Sequence, residues 1–201
     1  MNRKEKLALF LGMLSGDGCL SKAYNGEGYR DYPIEFWNTD KELVVLFEKL
    51  FFEIYGIHGK ISVRNRPDRK PIWAFLKYSR KICEELKDLG FPEGVKRDVL
   101  RVPEVIKGGS EKEKSSFILG VMLTDGGLKK NGSLLFHMGS KRFLEDLSEL
   151  IYELTGSKRK VREFTQRRIF KSYQLYLNKQ ERLRLMSYVP TWDNGTPLVL
   201  S

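Results

Sequence analysis

The feature that most constrains the fold is a helical motif that occurs twice. The two copies are residues 10–18 (FLGMLSGDG) and residues 118–126 (ILGVMLTDG). Each is an apolar stretch with one internal glycine, Gly12 or Gly120, and each ends in an Asp-Gly pair whose acid is Asp17 or Asp125. The aspartate follows the glycine by five residues in both copies, and the copies are 108 positions apart. The sequence therefore predicts the same helix in two places.

The match extends upstream to the start of each predicted helix. Asn2 and Ser110 lie ten residues before the respective glycines, and each has a glutamate three positions later, Glu5 and Glu113. Asn or Ser followed three residues on by Glu is the capping-box pattern of a helix N-terminus. Both helices are therefore predicted to begin as well as end at matching positions.

The two glycines predict that these helices pack against each other. A glycine inside a helix costs roughly 1 kcal/mol relative to alanine. It is tolerated where another backbone must come close, so Gly12 and Gly120 are predicted to form the contact between the helices.

The aspartates at the helix ends suggest a metal site. A carboxylate at a helix C-terminus opposes the dipole by about 0.3–1 kcal/mol, and two such groups side by side also repel each other. A divalent cation between Asp17 and Asp125 would remove both penalties, and an all-oxygen ligand set favours Mg²⁺. The alternative is that Asp-Gly only ends each helix with turn chemistry. Two copies with matched spacing and caps favour the metal.

Charge and cysteine content limit the class of protein. The net charge of +10 and the isoelectric point near 9.5 indicate a polyanionic partner, with nucleic acid and an acidic membrane surface both possible on charge alone. Cys19 and Cys83 lack metal-ligand spacing, so we expect reduced thiols in an intracellular protein. The charged N-terminus does not resemble a secretory signal, and no apolar run approaches the ~20 residues of a membrane span.

The remaining periodicity predicts an α+β fold of two αββαββα repeats. Each repeat is expected to form a four-stranded antiparallel sheet backed by helices, with the motif helices joining the repeats. Strand 33–38 matches strand 134–138, and the helix that begins at Lys41 matches the one that begins at Lys141. The offset falls from 108 to 100, which places eight extra residues in a hairpin arm at 23–32. The expected boundaries are 1–101 for the first repeat, 102–110 for a linker and 111–201 for the second repeat.

Cationic, amide and aromatic side chains concentrate on the predicted strands and turns of both repeats. Cations bind phosphates without sequence choice, whereas Arg and Gln also pair with base edges in a major groove wide enough for a two-stranded ribbon. The alternative for any one residue is a solvated sheet face. The candidate DNA contacts are Lys22, Arg30, Glu35, Trp37, Arg64, Arg66, Arg69, Lys70, Trp73, Lys77, Lys129, Lys130, His137, Arg162, Gln166, Arg167, Arg168, Lys171, Gln174 and Tyr176.

Together, the paired motifs and repeated elements resemble the LAGLIDADG homing endonuclease family in its single-chain, two-repeat form. The resemblance covers the chain from Asn2 to about Tyr188. It implies that the motif helices form the central interface and that the two sheets form a saddle over duplex DNA. It further implies that Asp17 and Asp125 are catalytic metal ligands, joined by the backbone carbonyls of Gly16 and Thr124.

The resemblance also implies a catalytic lysine in the first repeat only. Family members tend to have a basic residue near the scissile phosphates in a Gly-x-Lys context, and Lys96 in Gly94-Val95-Lys96 matches it. The corresponding segment of the second repeat, 189–196, contains no lysine. The glutamine that several relatives carry after the second strand is replaced by Thr39 and Gly139. The predicted catalytic site is therefore asymmetric.

The expected function is that of an intron-encoded, monomeric, site-specific DNA endonuclease that uses Mg²⁺, with Mn²⁺ or Ca²⁺ able to substitute in binding. Unlike halves imply a long, non-palindromic duplex target. The alternatives are an RNA-binding intron splicing cofactor, with intron RNA as partner, and a non-catalytic DNA-binding regulator. Acids in both motifs favour the nuclease. The expected location is inside a prokaryotic cell or an organelle, with no membrane partner.

Overall fold

The computed structural model describes residues 1–21, 23–24, 30–166 and 170–189. The first half contains α1 (Arg3–Asp17), β1 (Gly18–Leu20), β2 (Ala23–Tyr24), β3 (Arg30–Asp31), β4 (Pro33–Asn38), α2 (Lys41–Tyr55), β5 (Lys60–Arg66), β6 (Arg69–Tyr78) and α3 (Arg80–Asp88). A short helix, α4 (Glu104–Lys107), lies within the segment 102–110. The second half contains α5 (Glu111–Asp125), β7 (Gly126–Leu128), β8 (Leu134–Met138), α6 (Lys141–Thr155), β9 (Arg162–Gln166), β10 (Phe170–Leu177) and α7 (Lys179–Met186).

Two antiparallel four-stranded sheets confirm the predicted fold class. Their strand orders are β1-β4-β6-β5 and β7-β8-β10-β9, so the second sheet repeats the first. The short strands β2 and β3 pair with each other inside the segment predicted as a hairpin arm, while the arm's residues 25–29 lie outside the described part of the chain. None of the described helices is long and apolar enough to cross a membrane.

Both motif helices begin at the predicted caps, although in different ways. The Asn2 side chain accepts a hydrogen bond from the Glu5 backbone, and the Glu5 carboxylate accepts one from the Asn2 backbone, which completes the capping box. Ser110 accepts only from the Glu113 backbone. The Glu113 carboxylate lies instead beside Gly109, 2.6 Å from where a Cβ on that glycine would stand.

The helices α1 and α5 pack directly against each other through their glycines, as predicted. A Cβ on Gly12 would lie 2.1 Å from the Phe117 carbonyl oxygen, and one on Gly120 would lie 2.3 Å from the Leu9 carbonyl oxygen. Both helices are buried around most of their circumference, which fits helices at the centre of a protein. Their contact forms the interface between the repeats.

Alternation along the strands gives each sheet one face packed on helices and one open face. In the first sheet Phe36 pairs with Phe75, and both lie on the helix-covered face, where Phe36 stacks on Phe47 of α2 with ring centroids 4.3 Å apart. In the second sheet Phe136 pairs with Leu175 in the same way. Because side chains alternate, the neighbouring positions of these strands point to the open face.

Candidate active site and nucleic-acid interface

The C-terminal ends of α1 and α5 meet, and each carries its aspartate as the last helical residue. The close approach is set by Gly16. A Cβ on this residue would lie 2.0 Å from the Thr124 hydroxyl oxygen and 2.7 Å from Asp125 Oδ2. The shared geometry of the two motifs therefore brings Asp17 and Asp125 to a common site.

Burial makes both carboxylates unusually basic. It raises the pKa of Asp17, an effect that a hydrogen bond from Asn38 and the charge of Lys96 oppose. Burial raises the pKa of Asp125 to about 7, with a further increase from the negative charge of Asp17 and opposition from Lys96. Two buried acids that resist ionisation beside each other are suited to a cation that binds both.

The lysine predicted from the family resemblance lies at the same site. The Lys96 ammonium donates hydrogen bonds to the carbonyl oxygens of Leu14 (3.3 Å), Ser15 (2.9 Å) and Gly16 at the end of α1. Burial lowers its pKa, while Asp125 and Asp17 act in the opposite direction. In this arrangement the Gly16 carbonyl, a predicted metal ligand, accepts a hydrogen bond from Lys96.

The backbone before Lys96 is attached to the first sheet. Gly94 donates its backbone N–H to the Leu20 carbonyl at 2.6 Å, and Leu20 forms a parallel bridge with Glu93. Gly94 has φ +79°, a left-handed conformation in which glycine is favoured. This turn holds Lys96 beneath the end of α1.

Asn38 is a site residue that sequence analysis did not identify. Its Nδ2 donates to Asp17 Oδ2 at 2.7 Å, and it is the last residue of β4. The corresponding position of the second repeat is Met138, which offers Asp125 no such donor. Alternation could have indicated Asn38, since it shares a face with the apolar Ile34 and Phe36 and is the one polar residue of that series.

The site opens into a cavity of about 440 Å³ between the repeats. Ser15, Gly16 and Lys96 line it from the first repeat, and Asp125 and His137 from the second. Within the described residues there is no cluster of three or more His, Cys, Asp or Glu side chains that could hold a metal. The two aspartates, helix-end carbonyls and a nucleic-acid phosphate are the oxygen donors that fit Mg²⁺, which keeps several waters and needs few carboxylates.

Many of the predicted DNA contacts lie on the open faces or on the turns that border them. Trp37 is 37 % exposed and donates through Nε1 to Glu35 on the same face, and His137 contacts the Ser172 hydroxyl at 2.7 Å. By strand register the open-face candidates are Glu35, Trp37, Arg64, His137, Arg162, Gln174 and Tyr176. The candidates at the hairpin ends and turns are Arg66, Arg69, Lys70, Lys129 and Lys130.

Three candidates lie on the opposite, helix-covered face, which corrects their predicted placement. Trp73 lies beneath the Lys41 ammonium, 5.0 Å from its ring centroid, and Lys77 donates to the His58 carbonyl at 3.0 Å. Lys171 forms an ion pair with Glu163 at 3.4 Å. The reason is register, because each shares a face with buried residues of its own strand.

A few candidates cannot be assigned a side-chain position. Arg30 and Gln166 lie in β3 and β9, for which the structure describes the backbone alone at these positions. Lys22, Arg167 and Arg168 lie outside the described residues.

The site and the fold together define a two-repeat α+β protein with paired acidic helix ends beneath open sheets. Residues 4–89 match the family model described as a LAGLIDADG-like domain. The LAGLIDADG family predicted from the sequence is thus confirmed, for the first repeat by this match and across the chain by the shared fold described next.

Solved structures share this fold at low sequence identity. The homing endonuclease I-DmoI in complex with DNA and Ca superposes with a TM-score of 0.73 and 18% identity, over 96% of this chain and 93% of that one. The homing endonuclease I-WcaI bound to its DNA recognition sequence gives 0.61 and 16%, over 94% and 81%. The full-length DUF199/WhiA protein from Thermatoga maritima gives 0.61 and 11%, over 96% and 58%.

The raised pKa of Asp125 predicts how stability depends on pH. Its pKa is about 7 in the folded protein against an ordinary 3.8, so ionisation opposes folding increasingly as pH rises from about 4 to about 7. Asp125→Asn, which cannot ionise, should therefore gain melting temperature over the wild type by more at pH 8 than at pH 5. The measurement is thermal unfolding in EDTA, with Asp98→Asn at an exposed position as control. A constant difference across this range would contradict the raised pKa.

Proposed function

We propose that this protein is a site-specific double-strand DNA endonuclease that hydrolyses phosphodiesters with divalent metal ions at the interface of its two repeats. The observation that carries the proposal is the convergence of Asp17 and Asp125 at the tips of α1 and α5, beside an open cavity. Solved homing endonucleases of the same fold are bound to DNA with Ca or Mn, and one complex was formed in 2 mM Mg. For this chain, Mg²⁺ is the proposed physiological ion.

The sheets and the helix tips have complementary roles in this proposal. The net charge of +10 attracts a phosphate backbone, and the open faces present both phosphate-binding cations and base-reading groups. Arg64 and Arg162 lie on matching strands of the two repeats. Because the remaining open-face residues differ between the repeats, the protein would act as a monomer on a long, non-palindromic target inside the cell.

In the proposed reaction, a water oxygen attacks phosphorus and the bond to the 3′ oxygen breaks. A bound divalent ion supplies Lewis-acid stabilisation of the phosphate and a more acidic water. Asp17 and Asp125 would hold it with the Gly16 and Thr124 carbonyls, and Asn38 orients the Asp17 carboxylate through its 2.7 Å hydrogen bond. Lys96 places an ammonium group in the same cavity, where it would stabilise the pentacovalent phosphorane or polarise the water.

Cleavage selection tests this function and finds the target sequence in the same experiment. A randomised duplex library is incubated with the purified protein and Mg²⁺, and the cut ends are sequenced. The proposal predicts a defined set of sites cut on both strands, and no cleavage in EDTA. Binding without cleavage in Mg²⁺ or Mn²⁺ would overturn the nuclease assignment, and stronger binding to intron RNA than to duplex DNA would favour a splicing cofactor.

Lys96→Met should slow cleavage by about 100-fold, the usual effect of removing one donor that stabilises transition-state charge. The rate is measured under single-turnover conditions with saturating protein, so that DNA affinity does not contribute. Lys81→Met is the matched control, because Lys81 is an exposed lysine of α3. A rate within threefold of the wild type would exclude Lys96 from the reaction.

A further inference from the structure

The second repeat contains no lysine that could correspond to Lys96. The sequence has no lysine after Lys179, at the start of α7. Its acid, Asp125, nevertheless lines the same cavity as Lys96. A cation for the second half of the site must therefore come from elsewhere in the chain.

Arg97 follows Lys96 directly and extends toward the second repeat. Its Nη2 donates to the Lys171 carbonyl in β10 at 2.5 Å. Its Cγ lies 2.7 Å from where a Cβ on Gly139 would stand, so the arginine chain crosses the second sheet at a position that only a glycine leaves open without adjustment. The corresponding residue of the first repeat is Thr39, which is exposed.

The chain that follows Arg97 is attached to the second repeat, which fixes where the arginine lies. The Leu100 carbonyl accepts a hydrogen bond from the Ser140 hydroxyl at 2.9 Å. Arg101 makes two hydrogen bonds of 2.7 Å to Asp146, and the Val102 backbone donates to the same carboxylate at 3.2 Å. The segment 97–102 thus belongs by sequence to the first repeat and by contact to the second.

Arg97 lines the 440 Å³ cavity together with Asp125, His137 and Gly139. All three of these neighbours belong to the second repeat. A guanidinium group at the rim of a cavity that holds a carboxylate is suited to a phosphate, since its planar fork matches two phosphate oxygens.

We propose that Arg97 is the phosphate-binding cation of the second half-site, supplied across the repeat interface by the segment that follows α3. This inference rests on the proposed endonuclease function. Lys96 and Arg97, adjacent in sequence, would then serve opposite halves of the site and opposite DNA strands. The two strands would depend on different side chains of one short segment.

Strand-resolved cleavage tests the inference. A duplex containing a selected target site carries a different fluorophore on each strand, and single-turnover rates are measured with Mg²⁺. Arg97→Ala should slow one strand by tenfold or more and accumulate nicked duplex, while the other strand stays within twofold. Gly139→Ala, which displaces the arginine without removing its charge, should slow the same strand. Arg80→Ala, at an exposed arginine of α3, is the control.

A binding measurement separates a phosphate contact from a structural role. For duplex binding in Ca²⁺, the slope of log affinity against log salt should fall by about 0.9 in Arg97→Ala and stay unchanged in Arg97→Lys. Equal effects on both strands, or an unchanged salt slope in Arg97→Ala, would overturn the inference. If the wild-type protein cuts no duplex, the proposed function itself fails, which is a different result.

Discussion

Asp17→Asn and Asp125→Asn are each expected to abolish double-strand cleavage while DNA binding persists. Either change removes an anionic ligand, and a neutral amide cannot replace a carboxylate in holding a divalent ion between the helix tips. We expect the rate to fall by roughly a thousandfold or more, equivalent to about 4 kcal/mol of activation free energy. In EDTA both variants should bind duplex at least as tightly as the wild type, because each loses a negative charge near the DNA backbone.

The control for these variants is Asp40→Asn. Asp40 caps α2 by accepting a hydrogen bond from the Glu42 backbone at 2.9 Å, and asparagine caps a helix equally well. This variant should cut at the wild-type rate. Undiminished cleavage by Asp17→Asn or Asp125→Asn would contradict the metal assignment for that residue.

Gly12→Val and Gly120→Val should have the largest effects on stability. The added side chains would begin 2.1 Å from the Phe117 carbonyl and 2.3 Å from the Leu9 carbonyl, which are backbone atoms that cannot rotate away. The central helices would have to separate, and with them the two aspartates. We expect a loss of about 3 kcal/mol or more in the free energy of unfolding, at or above the usual range for overpacking.

Chemical denaturation measures this loss, and Gly127→Ala provides the comparison. A Cβ on Gly127 would meet only the Leu135 carbonyl, at an ordinary distance of 3.7 Å, so this change should leave stability nearly unaltered. Valine variants as stable as the wild type would show that the helices can separate without cost, and the account of the interface would be wrong.

The central helix pair could be predicted from sequence because its constraints are local and repeated. Gly12 and Gly120 have no capping role, so a close backbone approach is the main physical reason for a glycine there. The aspartates are unfavourable for their own helices, so they indicated a function at the tips. Both arguments use spacing alone, and the structure agrees with them.

The errors and omissions concern side chains whose environment depends on distant parts of the chain. Trp73, Lys77 and Lys171 were placed on the wrong face, although alternation with the buried Phe75 and Leu175 could have corrected them. Asn38 meets Asp17 only because β4 ends beside the tip of α1. Arg97 reaches the second repeat through the path of the linker, which local sequence patterns do not specify.

The most direct test of the central claim is a crystal structure of the protein bound to its target duplex in Mn²⁺, with the metal located by anomalous scattering. The account predicts manganese between the tips of α1 and α5, about 2.1 Å from oxygens of Asp17 and Asp125 and in contact with a backbone phosphate. DNA bound on another surface, or manganese absent from between these carboxylates, would contradict it.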